Sequence, residues 1–508
     1  MINLRLVLRQ VGLLLLVISA VLLAVTLATS QWLGFGGDDP HTTRSMLQAV
    51  CVGAAGGLVL WLFGRKCRSF IGHREALLLV ALSWLVGAVV AALPYFFWAG
   101  GGPNAHPFTS FVGCYFEAMS GLSTTGATVL AEVESLPRGL LLWRAITQWL
   151  GGLGIVVLFV AVLPSLGAEG KKLFQVEASG PISQGVRPRV RETARLLWLI
   201  YMGFTCVEMA LLCLFGMPVF DAACHTFSTV SSGGFSSQNA GIGGYDSVAI
   251  AGTIILFMLL AGINFGIYYQ LLRGRWNRLW KDPEFRCYGG ILLIGSIIVV
   301  WQLYGGRIVL TSGRLIESAG LADALVHGVF QVVSLHTGTG FCTADFDQWG
   351  VVPKTLLVGL MFVGGSAGST SGGIKVIRCL VAAKVIIAEI ERVFRPTVVR
   401  TIKAGRWAID PELRQATVVY VLIIVLISVV ATVILVFLQP QLDITTAAMA
   451  SIATLNNIGP GLAGVGAMSN YGWFEPASQL VMCVLMVMGR LEIYAILVLF
   501  LPAFWRSE

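Results

Sequence analysis

Four short stretches of this chain end in a glycine set among small polar residues. They are Ser123-Thr124-Thr125-Gly126-Ala127, Ser231-Ser232-Gly233-Gly234-Phe235, Thr337-Gly338-Thr339-Gly340-Phe341 and Asn456-Asn457-Ile458-Gly459-Pro460. Anchored on Gly126, Gly233, Gly340 and Gly459, they recur at intervals of 107, 107 and 119 residues. A dehydrated cation needs a cage of oxygens, and a ring of backbone carbonyls supplies one where glycine permits backbone angles that bulkier residues resist. Small neighbours let several strands approach one axis. One such stretch alone is explained as well by small residues packing membrane helices. Four in register, each between two apolar spans, point to a shared task.

A second constellation is Gly364-Gly365-Ser366-Ala367-Gly368-Ser369-Thr370-Ser371-Gly372-Gly373. It interrupts an apolar segment and is too polar and glycine-rich for a continuous membrane helix. Such backbone is tolerated at membrane depth only where protein or a watery cavity satisfies it. A nucleotide-binding loop is excluded, because Ile374 separates Gly373 from Lys375 and the Gly-Lys-Ser/Thr ending is missing. Arg490 lies between Leu485-Met486-Val487-Met488 and the apolar stretch from Ile493 to Leu501. An arginine inside a membrane segment costs at least ~2.5 kcal/mol on insertion scales and marks a functional candidate. The alternative is an ion pair, for which Glu492 is near in sequence but on another helix face.

These residues need a membrane scaffold. Of 508 residues, 56% are hydrophobic and only 12% charged, about half the charged share of soluble domains. The apolar runs are long enough to cross a bilayer as helices, which excludes a soluble core. The first run, Val11 to Ser30, follows Arg5 and Arg9 but is too long for a signal peptide and is read as retained. Spans near 11–30 and 46–64 form an amino-terminal hairpin with Asp38 and Asp39 outside.

After the hairpin comes a unit repeated four times: a span, a half-apolar segment too short to cross, and a second span. The spans lie near 76–98 and 140–166, 193–215 and 247–272, 287–304 and 354–392 (the last interrupted), and 413–437 and 478–503. The expected fold is all-α and membrane-embedded, with the hairpin in 1–70 and repeats in 71–170, 171–280, 281–405 and 406–508, only one helix being broken. Each intervening segment fits a re-entrant helix followed by an extended strand. Ser110, Asp221, Asp323 and Asp443 stand where N-caps would. A helix so oriented points its partially negative C-terminal end into the membrane, which favours a cation.

The net charge of +8 follows topology. Alternate loops and the termini hold 27 of the 34 basic residues: Arg65, Lys66, Arg68 and Arg74; Lys171, Lys172, Arg187, Arg189, Arg191 and Arg195; Arg273 to Arg286; Lys375 to Arg414; and Arg5, Arg9 and Arg506. These are cytoplasmic faces with both termini inside, and the charge implies membrane lipid headgroups and no nucleic acid. The ten cysteines sit singly as small hydrophobes. His225, His327 and His336 make no metal-ligand spacing, and Glu117 and Glu208 read as structural hydrogen-bond partners. No convergent nucleophile, base or metal set argues for an enzyme. Repeats all running the same way argue against an inverted-repeat secondary carrier.

The segment Phe116 to Thr128 resembles the first pore loop of the TrkH branch of the Trk/Ktr/HKT superfamily, and Asn456 to Leu462 resembles the fourth. Trp149-Leu150-Gly151-Gly152-Leu153-Gly154-Ile155, Gly364 to Lys375 and Gly489-Arg490-Leu491-Glu492 are similar to further signatures of that family, and the likeness covers essentially the whole chain. It implies four repeats in pseudo-four-fold arrangement and potassium uptake across a bacterial cytoplasmic membrane, with potassium as the transported ion. The implied selectivity filter is Thr125, Gly126, Ser232, Gly233, Thr339, Gly340, Ile458 and Gly459. The implied gate is Gly364, Gly365, Gly368, Ser369, Thr370, Ser371, Gly372 and Gly373, with Arg490 as a positive barrier in the path. Gly338 and Ser123 replace threonines common in the family, which leaves relaxed potassium over sodium selectivity as an alternative; coupling to protons or sodium is a separate alternative that the sequence leaves open. The resemblance also implies a homodimer and a cytosolic TrkA-like nucleotide-binding subunit on a separate chain, docked on basic loops 167–195 and 374–412.

Overall fold

The computed structural model describes residues 2–30, 37–65, 72–100, 106–161, 186–397, 401–405, 407–491 and 493–506. Lys66, Arg68, Lys171, Lys172, Arg400, Arg406 and Glu492 lie outside them, as does most of loop 167–195. Helices α1 (Leu4–Thr29) and α2 (Pro40–Phe63) form the hairpin. Asp39 caps α2 through Thr42 N–H at 3.0 Å, with Pro40 opening the helix. The pair packs backbone to backbone: a Cβ added to Gly12 would sit 2.6 Å from the Gly57 carbonyl oxygen, the close approach that small residues allow in membranes.

The rest of the chain follows in order. Helices α3 (His73–Ala99), α4 (Phe111–Leu122) and α5 (Arg138–Ala161) come first, then α6 (Val186–Leu214), α7 (Val219–Val230), α8 (Val248–Ala261), α9 (Phe265–Leu272) and α10 (Asn277–Lys281). Next are α11 (Pro283–Leu303), the hairpin β1 (Ile308–Val309) and β2 (Leu315–Ile316), α12 (Leu321–His336), α13 (Val351–Phe362) and α14 (Val376–Phe394). The hairpin β3 (Lys403–Ala404) and β4 (Trp407–Ala408) precedes α15 (Pro411–Leu438), α16 (Ile444–Leu455), α17 (Pro476–Arg490), α18 (Tyr494–Leu497) and α19 (Pro502–Trp505). Among the described residues six helices are long and apolar enough to span a membrane, or up to eight if each bent pair is one span.

The short helices α4, α7 and α16 have 12 residues and α12 has 16, below the roughly 20 needed to cross. They are largely buried, packed against the long helices on either side.

Two expectations are corrected. More than one span is broken: besides the gap between α13 and α14, α8 and α9 bend by 93° at Gly262-Ile263-Asn264, where Asn264 Oδ1 accepts from Gly266 N–H at 2.8 Å and starts a new helix. Helix α17 ends at Arg490 and α18 starts at Tyr494. The case against an inverted-repeat carrier therefore rests on repeat direction, not on the number of breaks. Of the four expected N-caps, only Asp443 caps with its side chain, to Thr446 N–H at 3.0 Å. Ser110 holds the position without a side-chain bond. Asp221 and Asp323 fall in the first turn after Pro218 and Gly320, Asp323 reaching back to Gly320 N–H at 3.1 Å.

Candidate functional site

Each of the four short helices ends in the same backbone device. The residue after the turn takes a left-handed conformation: Thr124 (φ 54°), Ser232 (φ 56°), Gly338 (φ 71°) and Asn457 (φ 53°). Its N–H returns to the carbonyl three residues back, Thr124 to Gly121 at 3.0 Å and Ser232 to Thr229 at 2.9 Å. The next N–H returns five back, at 2.9 Å from Thr125 to Ser120, 2.7 Å from Gly233 to Ser228, 2.9 Å from Thr339 to Ser334 and 3.0 Å from Ile458 to Ala453. This paired closure satisfies helix-end carbonyls that would otherwise be orphaned. Three of the four left-handed residues carry side chains, a strained choice. At two of them side chains brace the turn: Ser232 Oγ and Thr370 Oγ1 are 2.8 Å apart, and Asn457 Nδ2 donates to Thr125 Oγ1 and the Met486 carbonyl, both at 2.9 Å.

Two residues further on, φ turns positive again at Gly126 (79°), Gly234 (78°), Gly340 (78°) and Gly459 (90°). The second loop is therefore shifted by one from the sequence alignment. Gly234, not Gly233, matches the other three, Gly233 corresponds to Thr125, Thr339 and Ile458, and Ser232 is the corner residue. The doubled glycine at 233–234 hid this register.

The four glycines stand in a closed circuit. A Cβ on Gly126 would lie 2.3 Å from the Gly233 carbonyl oxygen, one on Gly234 1.9 Å from that of Thr339, one on Gly340 1.9 Å from that of Ile458, and one on Gly459 2.7 Å from that of Thr125. Each loop leans on the next, and the fourth leans on the first. No side chain fits at any of these positions unless a neighbouring backbone moves.

The polar loop between α13 and α14 lies against these corners. Its base is closed by Gly364 N–H to the Ile374 carbonyl (2.9 Å) and Ile374 N–H to the Phe362 carbonyl (3.0 Å). Thr370 Oγ1 reaches the Val230 carbonyl at 3.1 Å as well as Ser232. A Cβ on Gly372 would sit 2.4 Å from the Asn456 carbonyl oxygen, and one on Gly338 3.4 Å from Gly372 N. The loop thus touches the second, third and fourth corners. Arg490, 3% exposed, donates from one terminal nitrogen to the Thr370 carbonyl at 2.7 Å and from the other to the Gly151 carbonyl at 3.2 Å. It joins the loop to α5 through neutral carbonyls. Gly364, Gly365, Gly368, Ser369, Ser371 and Gly373 complete the loop, and Ser369 Oγ bonds the Ser366 carbonyl at 2.6 Å.

The family model for TrkH, a cation transport protein, matches residues 42–507. This chain belongs to the TrkH family. That is a transporter family, not an enzyme family. The chain is 38% identical over 466 residues to the Trk system potassium uptake protein TrkH of Salmonella typhimurium, covering 91% of this chain and 92% of that one. It is 35% identical over 507 residues to the Trk system potassium uptake protein TrkH of Vibrio parahaemolyticus, covering 99% of each. The crystal structure of the potassium transporter TrkH from Vibrio parahaemolyticus superposes with a TM-score of 0.85 at 33% identity, over 99% of this chain and 100% of that one.

Several polar residues around this TrkH-family site carry structure that spacing alone did not assign. Glu117 accepts from Arg144 Nε at 2.8 Å, from Val129 N–H at 3.0 Å and from Thr128 Oγ1 at 3.0 Å. Arg144 also donates to the Ser236 carbonyl at 3.1 Å and lies 4.1 Å from the Phe235 ring centroid. The pair ties the strand after the first corner to the strand after the second. Glu284 Oε1 accepts from Ala367 N–H at 2.7 Å and Ile377 N–H at 3.2 Å, anchoring the loop to α11. Gln148 touches the second corner directly. A polar residue inside an apolar span was the available signal for Arg144 and Gln148, but nothing in spacing identifies their partners. Glu208 is buried, and among the described residues neither of its oxygens meets a donor within hydrogen-bond geometry.

Breaking the Glu117 pair leaves a buried guanidinium uncompensated. Glu117→Ala is expected to lower unfolding stability by about 3–5 kcal/mol. Thermal melts of detergent-purified protein measure this, and an unchanged midpoint would show that the pair contributes nothing.

Proposed function

We propose that this chain is a potassium uptake protein of the bacterial cytoplasmic membrane, conducting through a filter lined by backbone carbonyls. The observation that carries the reading is the closed circuit in which Gly126, Gly234, Gly340 and Gly459 each abut a carbonyl oxygen of the next loop. Four short helices direct their carbonyl ends towards that circuit, where their dipoles favour a cation. The filter comprises Thr125, Gly126, Gly233, Gly234, Thr339, Gly340, Ile458 and Gly459, taken from pseudo-four-fold repeats at 71–170, 171–280, 281–405 and 406–508. The loop 364–373 and Arg490 act as the gate: the loop narrows the path and the arginine repels cations at its waist. Both termini are cytoplasmic, the subunit forms a homodimer in lipid, and a cytosolic TrkA-like nucleotide-binding chain acts on the basic loops. The relatives named Trk system potassium uptake proteins support potassium as the cargo.

Expression is expected to restore growth of a potassium-uptake-deficient bacterium at low external potassium. Failure with the protein inserted in the membrane, with and without a cognate regulatory chain, would overturn the potassium reading. Flux in liposomes with potassium and sodium gradients set separately distinguishes it from a relaxed or coupled cation transporter.

A further inference from the structure

We propose that Gln148 is a specificity-determining positioning residue that supplies, from helix α5, the side chain missing from the second filter loop. The inference rests on the filter reading. At the position preceding the circuit glycine, the first and third loops carry threonines whose hydroxyls are tied back, Thr125 Oγ1 to Ser123 Oγ at 2.7 Å and Thr339 Oγ1 to Thr337 Oγ1 at 2.8 Å. The fourth carries a buried Ile458. The second carries Gly233, whose conformation is not left-handed and so does not require glycine. Its Ser231 hydroxyl turns back to the Phe227 and Ser228 carbonyls. Two consecutive glycines without side-chain backing make this the loop with the most backbone freedom to lose.

Gln148 fills the gap. It is fully buried, its Nε2 donates to the Gly233 carbonyl at 2.6 Å, and its Oε1 accepts from Phe235 N–H at 3.1 Å. The amide straddles Gly234 and bonds the backbone on both sides. A Cβ on Gly233 would lie 2.5 Å from Gln148 Cδ and 2.6 Å from its Oε1, so the glutamine amide occupies the space of a side chain at 233. The carbonyl it grips is the one against which Gly126 packs. Gln148 therefore fixes one quarter of the oxygen ring, where field and spacing set ion preference. The carbonyl keeps a second lone pair for the ion.

The test is the sodium-to-potassium flux ratio of full-length protein in liposomes, since a merely structural role would lower both fluxes together. Gln148→Leu, close in volume but without either bond, is expected to raise the ratio roughly tenfold, the scale set by one or two buried hydrogen bonds. Gly233→Thr alone is expected to raise it by collision with Gln148. The double variant Gln148→Ala with Gly233→Thr returns a side chain from the loop itself and is expected to fall back towards the parent ratio. If Gln148→Leu does not accumulate, Gln148→Asn, one methylene too short, carries the same expectation. Gly234→Ser is measured alongside. A changed ratio there with an unchanged ratio for the Gln148 variants overturns the clamp and leaves the filter. Unchanged ratios in both overturn this inference, and the filter reading falls with it when serine at Gly126 and Gly459 leaves the ratio unchanged too. A double variant no better than Gln148→Ala alone also overturns the clamp.

Discussion

Replacing Arg490 by alanine, or deleting Ser369 to Gly372, is expected to raise basal potassium flux and not abolish it. The argument begins with what Arg490 touches. Its guanidinium is held by the carbonyls of Thr370 and Gly151, and among the described residues no carboxylate pairs with it. On the gate reading, its positive charge, held by two neutral carbonyls, acts on a passing cation. At a distance of ~10 Å and an effective dielectric of about 20, a unit charge repels a cation by ~1.7 kcal/mol. Removing it would speed passage by roughly tenfold or more. The same change unties the loop from α5, so on the gate reading the steric and electrostatic barriers fall together. Deletion removes Thr370 and with it the bonds to Ser232 and Val230 that hold the loop against the second corner. A purely structural arginine makes the opposite prediction, because leaving buried carbonyls unpaired would lower protein yield and flux alike. Liposome flux normalised to monodisperse protein separates the two. Reduced flux in both variants would remove the gate assignment and leave the filter untouched.

Serine at Gly126 or Gly234 is expected to raise the sodium-to-potassium flux ratio by an order of magnitude or more. Both glycines have φ near 79°, a conformation that costs a side chain about 1–3 kcal/mol. The added Cβ also meets backbone, at 2.3 Å from the Gly233 oxygen in one case and 1.9 Å from the Thr339 oxygen in the other. Backbone cannot swing aside as a long side chain does, so the ring oxygens must move. On the filter reading, discrimination between ions differing by fractions of an ångström in radius depends on the placement and field of those oxygens. The atoms nearest a Cβ on Gly233 belong to the Gln148 side chain, which can shift, and serine there is expected to have a smaller effect. Rubidium and sodium uptake by the purified variants measures the ratio. No change for serine at Gly126, Gly234 and Gly459 alike would remove the filter assignment.

What the sequence determined by itself is what depends on local composition. Apolar runs long enough to cross a bilayer, short apolar segments ending in glycine, and a polar insert in the third unit each have one physical solution in lipid, because backbone groups there must be satisfied internally. Arg490 was legible for the same reason, as a charge too costly to be incidental. What only the tertiary structure decided is what depends on contacts between distant segments. The sequence could not choose between Gly233 and Gly234, since both are glycine; the positive φ at Gly234 and its approach to Thr339 set the register. Nothing local says that Gln148 meets a loop 85 residues away, or that Asn457 bonds Thr125 across 332 residues. The break at Gly262 was equally hidden, because an apolar span with a single Asn264 reads as continuous until Asn264 is seen capping a second helix. Arg490 shows the division within one residue: its cost is local, but its partners, Thr370 and Gly151, belong to segments that only folding brings to it.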